Sequence, residues 1–144
     1  MTLPGSALSL LRVFTAWLAL VLALAATHAS AQQAIPKDNK GFKATAMQAV
    51  DLGAEIKGMS GRQLRMRTLT IEPGGHIGLH SHKDRPAVVY FLKGTDTVTL
   101  ADGTVKTFRP GDSSFANKDT THWHRNDGTE PVVLIAVDVF HAAK

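Results

Sequence analysis

Beyond residue 43 the chain alternates short runs rich in Val, Thr, Leu and Ile with clusters of Gly, Pro, Asn and Asp. No run sustains the 3.6-residue apolar spacing of an amphipathic helix, so the pattern predicts strands joined by tight turns. Strands are expected over 44–52, 63–71, 77–82, 87–92, 97–101, 105–108, 113–116, 121–125 and 132–140, with turns at 58–61, 72–75, 102–103, 109–112 and 126–128. The clearest turn is Asp102-Gly103, because a two-residue hairpin loop needs positive φ and Asp-Gly adopts it cheaply. Strands at about ten-residue spacing with no helices between them imply an all-β sandwich or barrel. The run Val132-Val133-Leu134-Ile135-Ala136-Val137 is apolar on both faces. A neighbouring strand, a covering segment or a second subunit would explain this, and a homodimer follows as an expectation.

The first 31 residues read differently. Arg12 precedes an apolar stretch from Val13 to Ala26, and Ala29-Ser30-Ala31 supplies the small-x-small pattern of signal peptidase. The stretch falls short of the ~20 residues of a membrane span, so residues 1–31 are expected to be a cleaved signal peptide that leaves no stable span. The mature chain then begins at Gln32, in the periplasm. A polar lead-in over 32–43 would precede a single domain over 44–144.

The chain has no cysteine, so neither disulfides nor thiolate ligands are available to this exported domain. The net charge of +4 forms no continuous basic patch, and export argues against a nucleic-acid partner. Arg62, Arg65 and Arg67 are expected to form a solvated face.

Five of the seven histidines lie between His76 and His124, in the pairs His80-Ser81-His82 and His122-Trp123-His124 with His76 beside them. Residues two apart on a strand project from the same face, so each pair presents two imidazoles to one side. Neutral imidazole suits a divalent transition metal such as Fe, Mn, Ni, Cu or Zn. Gly74, Gly75 and Gly78 would let the backbone bend at the barrel rim. Lys83-Asp84-Arg85-Pro86 reads as a turn, in which Asp84 bonds its own backbone and Arg85 pairs with Asp84 or Asp112.

These residues resemble the cupins, the small double-stranded β-helix or jelly-roll barrels. The first motif of that family is a glycine, a His-x-His pair, a glutamate and a second glycine. It finds Gly74, His80, His82 and Gly94 here, with Ala87 at the glutamate position. In the second motif Gly111, His122 and Asn126 match, while Asn117 and Asp119 stand where proline and glycine are usual. The resemblance implies that His80, His82 and His122 are metal ligands. It also implies a comparison with three-histidine cupins, among them oxygen-using enzymes that act on small substrates.

Ala87 has no donor atom, so three neutral imidazoles would leave the metal's +2 charge uncompensated and several positions open to a small anionic ligand. His124 shares the inward face of His122 and is a pocket candidate that could orient a ligand or transfer a proton. Arg85 is a second pocket candidate, able to hold a substrate carboxylate. His76 is expected at the rim, and Trp123, Phe91 and Phe115 in the core or lining a pocket.

No nucleophile–base pair or paired carboxylates emerge, which argues against hydrolysis and covalent catalysis. Three functions remain open: a metal-dependent dioxygenase, a non-catalytic periplasmic binder of a small molecule or metal, and a metal-free structural or interaction cupin.

Overall fold

The computed structural model describes residues 34–141; the expected signal peptide lies outside them. Among the described residues, no helix is long and apolar enough to cross a membrane. Eight strands follow in order: β1 (Lys40–Asp51), β2 (Arg62–Ser81), β3 (Ala87–Lys93), β4 (Asp96–Leu100), β5 (Val105–Phe108), β6 (Ser113–Ala116), β7 (Thr121–Arg125) and β8 (Val132–His141). All pair antiparallel, in the order β5-β4-β7-β2-β8-β3-β6 with β1 on β2. The result is the expected all-β architecture, a nearly closed antiparallel barrel.

Three local outcomes differ from the sequence pattern. Residues 52–55, expected to close the first strand and open a loop, form a short helix, α1 (Leu52–Glu55), capped by Asp51 Oδ1 accepting from Gly53 N at 2.9 Å. Strand β1 begins at Lys40, so residues 40–43 of the polar lead-in belong to the sheet.

The third concerns residues 72–75, which are a bend within one twenty-residue strand rather than a turn between two. Residues 62–71 pair with β8, whereas 76–81 pair with β7, so β2 passes from one wall of the barrel to the other. Gly74 takes a positive φ of 70° at the bend, a conformation that L side chains resist. The backbone bonds Gly74 N to Asn126 O and Asn126 N to Gly75 O, both 3.0 Å, keep the ladder continuous across it.

The inner face grades from apolar to charged. Ile71, Ile77, Phe91, Val132, Leu134 and Ala136 make the core. Its largest member, Phe91, is 1% exposed and stacks on Phe108 with ring centroids 4.7 Å apart. Across β2, β8 and β3 the register then sets Leu69–Leu134–Phe91, next Arg67–Ala136–Val89, and last Arg65–Asp138–Ala87. One edge of the core thereby becomes a wall with charge on it.

Strand β8 pairs with β2 on one side and β3 on the other within the same chain; Val132, Leu134, Ala136 and Asp138 are buried, and the residues between them are half-buried. Val88, Tyr90, Leu92 and Phe115 are exposed.

Replacing Phe91 with alanine removes the largest side chain of this core cluster and its stacking on Phe108. It is expected to lower unfolding stability by roughly 3–5 kcal/mol, read from the urea midpoint at unchanged slope. A loss below about 1 kcal/mol would contradict the packing described above.

Candidate metal centre

The centre arises where the second half of β2 meets β7. Ile77 pairs with His124 and His80 with His122, so β2 spends three residues where β7 spends two. The extra residue is a β-bulge, which turns both Ile77 and His80 inward although they lie an odd number of residues apart. The bulged amides turn away from β7: Gly78 N donates to Asn39 Oδ1 at 2.9 Å and Leu79 N to Pro36 O at 2.7 Å. A Cβ at position 78 would sit 2.5 Å from Asp38 O, so only glycine admits the lead-in segment there.

His80, His82 and His122 converge. Their ring centroids lie 4.7–5.1 Å apart, and one nitrogen from each falls within 4.8 Å of the others. Two of the rings are held by backbone carbonyls: His80 Nδ1 meets Gly78 O and His82 Nδ1 meets Arg85 O, both at 2.9 Å. A carbonyl accepts only, so each Nδ1 carries the proton and each Nε2 is left with a lone pair. Such outer hydrogen bonds fix the tautomer a metal-binding histidine needs.

His82 Nε2 lies 3.1 Å from His122 Nε2, close to the roughly 3.0–3.4 Å that separates two nitrogens bound at ~2.1 Å to one ion. Burial pushes the His80 pKa down to about 4 and the His122 pKa down to about 2, and neighbouring cationic imidazoles would add repulsion. Burial, followed by the Arg85 guanidinium, also lowers that of His82. All three are neutral at pH 7, the ligand form. This donor set fits a divalent transition metal.

His124 and Arg85 both line the cavity beside the triad. His124 is 7% exposed, with its ring centroid 4.6 Å from that of His122. Its Nδ1 bonds Asp96 Oδ2 at 2.7 Å, and Asp96 is fully buried. The cluster of converging ligand atoms comprises His80, His82 and His122 without His124 or Asp84. Asp84 occupies its turn at φ 59° and accepts from Arg62 Nη1 through its carbonyl at 2.8 Å. His76 bonds Asp38 outside the triad, at 3.3 Å.

Arg85 pairs with neither Asp84 nor Asp112. Its Nη1 lies 3.8 Å from Asp138 Oδ2. Arg65 and Arg67 likewise leave the solvated face expected for them. Arg65 grips Asp138 with two bonds of 3.1 and 2.9 Å, and Arg67 Nη2 adds one of 3.0 Å. Asp138, Arg67 and Asp96 are the site residues that the sequence reading missed. Asp138 had a legible signal, since it is the lone charge in the β8 run and shares the parity of Val132, Leu134 and Ala136.

The cavity has a volume of about 650 Å³. Among the described residues that line it, Asp138 is the single carboxylate, against Lys37, Arg67, Arg85 and Lys106. Apolar side chains, including Leu69, Val98 and Phe108, cover much of the remaining wall.

Residues 67–138, half of the chain, match the family model described as the cupin domain. The chain belongs to the cupin family. It combines the barrel of that family with a three-histidine cluster able to hold a metal ion.

No curated protein sequence matches it. Among solved structures it is similar to a Klebsiella pneumoniae protein with a double-stranded β-helix domain, at 17% identity and TM-score 0.58, over 76% of this chain and 86% of that one. The polyketide cyclase RemF of Streptomyces resistomycificus is similar at 17% identity and TM-score 0.57, over 72% and 68% of the two chains. The cupin domain of Schizosaccharomyces pombe Cnp3 gives 14% and 0.55, over 69% of this chain and 65% of that one. At these identities the likeness is one of fold.

The depressed histidine pKa values make stability pH-dependent. The unfolded chain takes up protons near the ordinary value of 6.5, before the folded chain does. In metal-free protein, stability is therefore fully present above about pH 6.5 and is lost progressively as pH falls toward 4 and below. Urea midpoints measured between roughly pH 8 and pH 4.5 should follow that course, and a flat profile would contradict the burial of these rings.

Asp138→Asn removes the carboxylate that compensates the arginines. A loss of roughly 3 kcal/mol is expected, the range for breaking a buried pair from one side, reduced because the guanidiniums are partly exposed. Equilibrium unfolding reads it directly.

Proposed function

We propose that the protein is an exported cupin that binds one divalent transition metal through His80, His82 and His122 and takes a small anionic molecule at the metal's open positions. The observation that carries this reading is the convergence of three Nε2-directed imidazoles, with those of His82 and His122 3.1 Å apart. The Nδ1–H of His82 is spent on Arg85 O, so its Nε2 lone pair faces His122 Nε2, and either a proton on His122 or a shared cation bridges the two. Export rests on the leader at residues 1–31.

The anionic character of the ligand follows from charge. Neutral imidazoles leave the ion its +2, Ala87 offers no carboxylate, and the four cations on the wall face a single aspartate. When bound, the metal supplies Lewis acidity and, as iron, redox reactivity toward O₂.

The chain's own residues do the rest. Gly78 O and Arg85 O hold two ligand rings in the productive tautomer. The apolar wall limits water around the ligand. Asp96 occupies His124 Nδ1, leaving Nε2 as the ring nitrogen that can meet a ligand. Among the chemistries open to such a site, metal-dependent dioxygenation of a small acid suits the donor set best, since neither a nucleophile–base pair nor paired carboxylates line the cavity.

Elemental analysis of the purified mature protein is expected to show about one metal per chain in the wild type and none in His80→Ala with His82→Ala. Equal metal content in the two forms would end the metal reading. Iron-loaded wild type should consume oxygen with a member of a panel of small aromatic, diketone and thiol acids. Tight ligand binding with no turnover across the panel would identify a binder instead.

A further inference from the structure

The three arginines around Asp138 are not equivalent. Arg65 makes the two-bond fork to the carboxylate, its guanidinium lies 3.7 Å over the Phe140 ring, and it does not line the cavity. One carboxylate and one guanidinium therefore cancel. That leaves Arg67 and Arg85, which both line the cavity, as surplus charge.

Their own ties to Asp138 are thin. Arg67 has one bond of 3.0 Å, and its buried Nε has no hydrogen-bond partner. Arg85 stands at 3.8 Å, beyond hydrogen-bonding distance. Burial also lowers the Arg67 pKa, ahead of the opposing pull of Asp138, so the site holds a cation that is under-compensated.

The two guanidiniums are partly buried, with side chains 17% and 30% exposed, so their surplus charge carries a desolvation cost that a pairing anion would offset, and two planar forks with spare donors match an oxyanion. The surroundings define the remainder of the ligand. The strand register puts Arg67 in a row with Ala136 and Val89, and Leu69 with Leu134 in the next row toward the core. Beside Asp138, Ala87 contributes only a methyl group. A charged end and an apolar wall thus share one cavity.

We propose that Arg67 and Arg85 form a carboxylate subsite and that the ligand is an amphipathic carboxylic acid, its carboxylate on these two guanidiniums and its apolar body along Leu69, Val89 and Ala136. The proposal rests on the reading of this cavity as the small-molecule site, and it adds the ligand's class and two specificity-determining residues. The arginines act on the ligand whether or not the histidines carry an ion, because neither arginine belongs to the triad.

The test uses the full mature protein and calorimetric titration with benzoate and hexanoate, their neutral amides benzamide and hexanamide, and inorganic phosphate. At least one acid is expected to bind about tenfold or more tightly than its amide and than phosphate. Arg67→Met and Arg85→Met should each abolish that preference, leaving amide affinity within about twofold and metal content unchanged. Arg85 is the less buried of the two and makes no hydrogen bond to Asp138, so its variant stays informative if Arg67→Met fails to fold. The proposal is overturned if neither acid binds, if acid and amide bind equally, if phosphate matches the acids, or if the folded variants keep the preference.

The same titrations on His80→Ala with His82→Ala separate the two readings. If metal content is equal in this variant and the wild type while the acid preference persists, the metal reading fails and the carboxylate subsite stands. Histidine-dependent metal with no acid preference overturns the subsite alone.

Discussion

The pairing of β2 with β7, one residue out of step, is the constraint on which the rest of this molecule depends. A regular ladder would place Ile77 and His80 on opposite faces, because side chains alternate along a strand. The bulge between them lets the strand bury an apolar residue in the core and still present an imidazole to the cavity, opposite His122. It leaves the amides of Gly78 and Leu79 without partners in β7, and the segment around Pro36 and Asn39 supplies them. A lead-in without apolar pattern is thereby part of the structure that positions the histidine cluster.

Electrostatic imbalance is the second organising feature. Where the family motif has a glutamate, this chain has Ala87, and the neighbouring inward position across the β3–β8 pair is Asp138. A carboxylate is therefore still present near the centre, but it is turned to arginines. Arg65 satisfies it, while Arg67 and Arg85 keep donors to spare. The region is thus cationic beside three imidazoles kept neutral by burial. The neutral imidazoles suit a metal cation, and the surplus arginine charge is the feature on which the proposed anionic guest rests.

Much of the strand pattern was legible because the barrel is half buried. Turn residues punctuate β4 to β8, and the structural bounds fall within about a residue of those the pattern predicts. The pattern was less informative where two walls share a strand. Glu72-Pro73-Gly74-Gly75 has the composition of a turn, yet pairing with β7 and β8 on its two sides carries β2 straight through. The arginines depart from the pattern for a related reason. Arg65 and Arg67 lie on an alternating strand with charge on one face, the usual mark of solvent exposure, and only the cross-strand carboxylate of Asp138 turns that face inward.

What the sequence determined by itself was local: an all-β chain, its turns, and two His-x-His pairs whose period-two spacing puts both rings of a pair on one side. Spacing carries this because it is a property of contiguous backbone. Only the tertiary structure decided which distant residues meet. That Asp138 neutralises Arg65 rather than binding a metal, that Asp96 lies under His124, and that residues 36–39 complete the bulge all depend on pairing between segments far apart in the chain. Register and burial make those choices, and no window of sequence contains them.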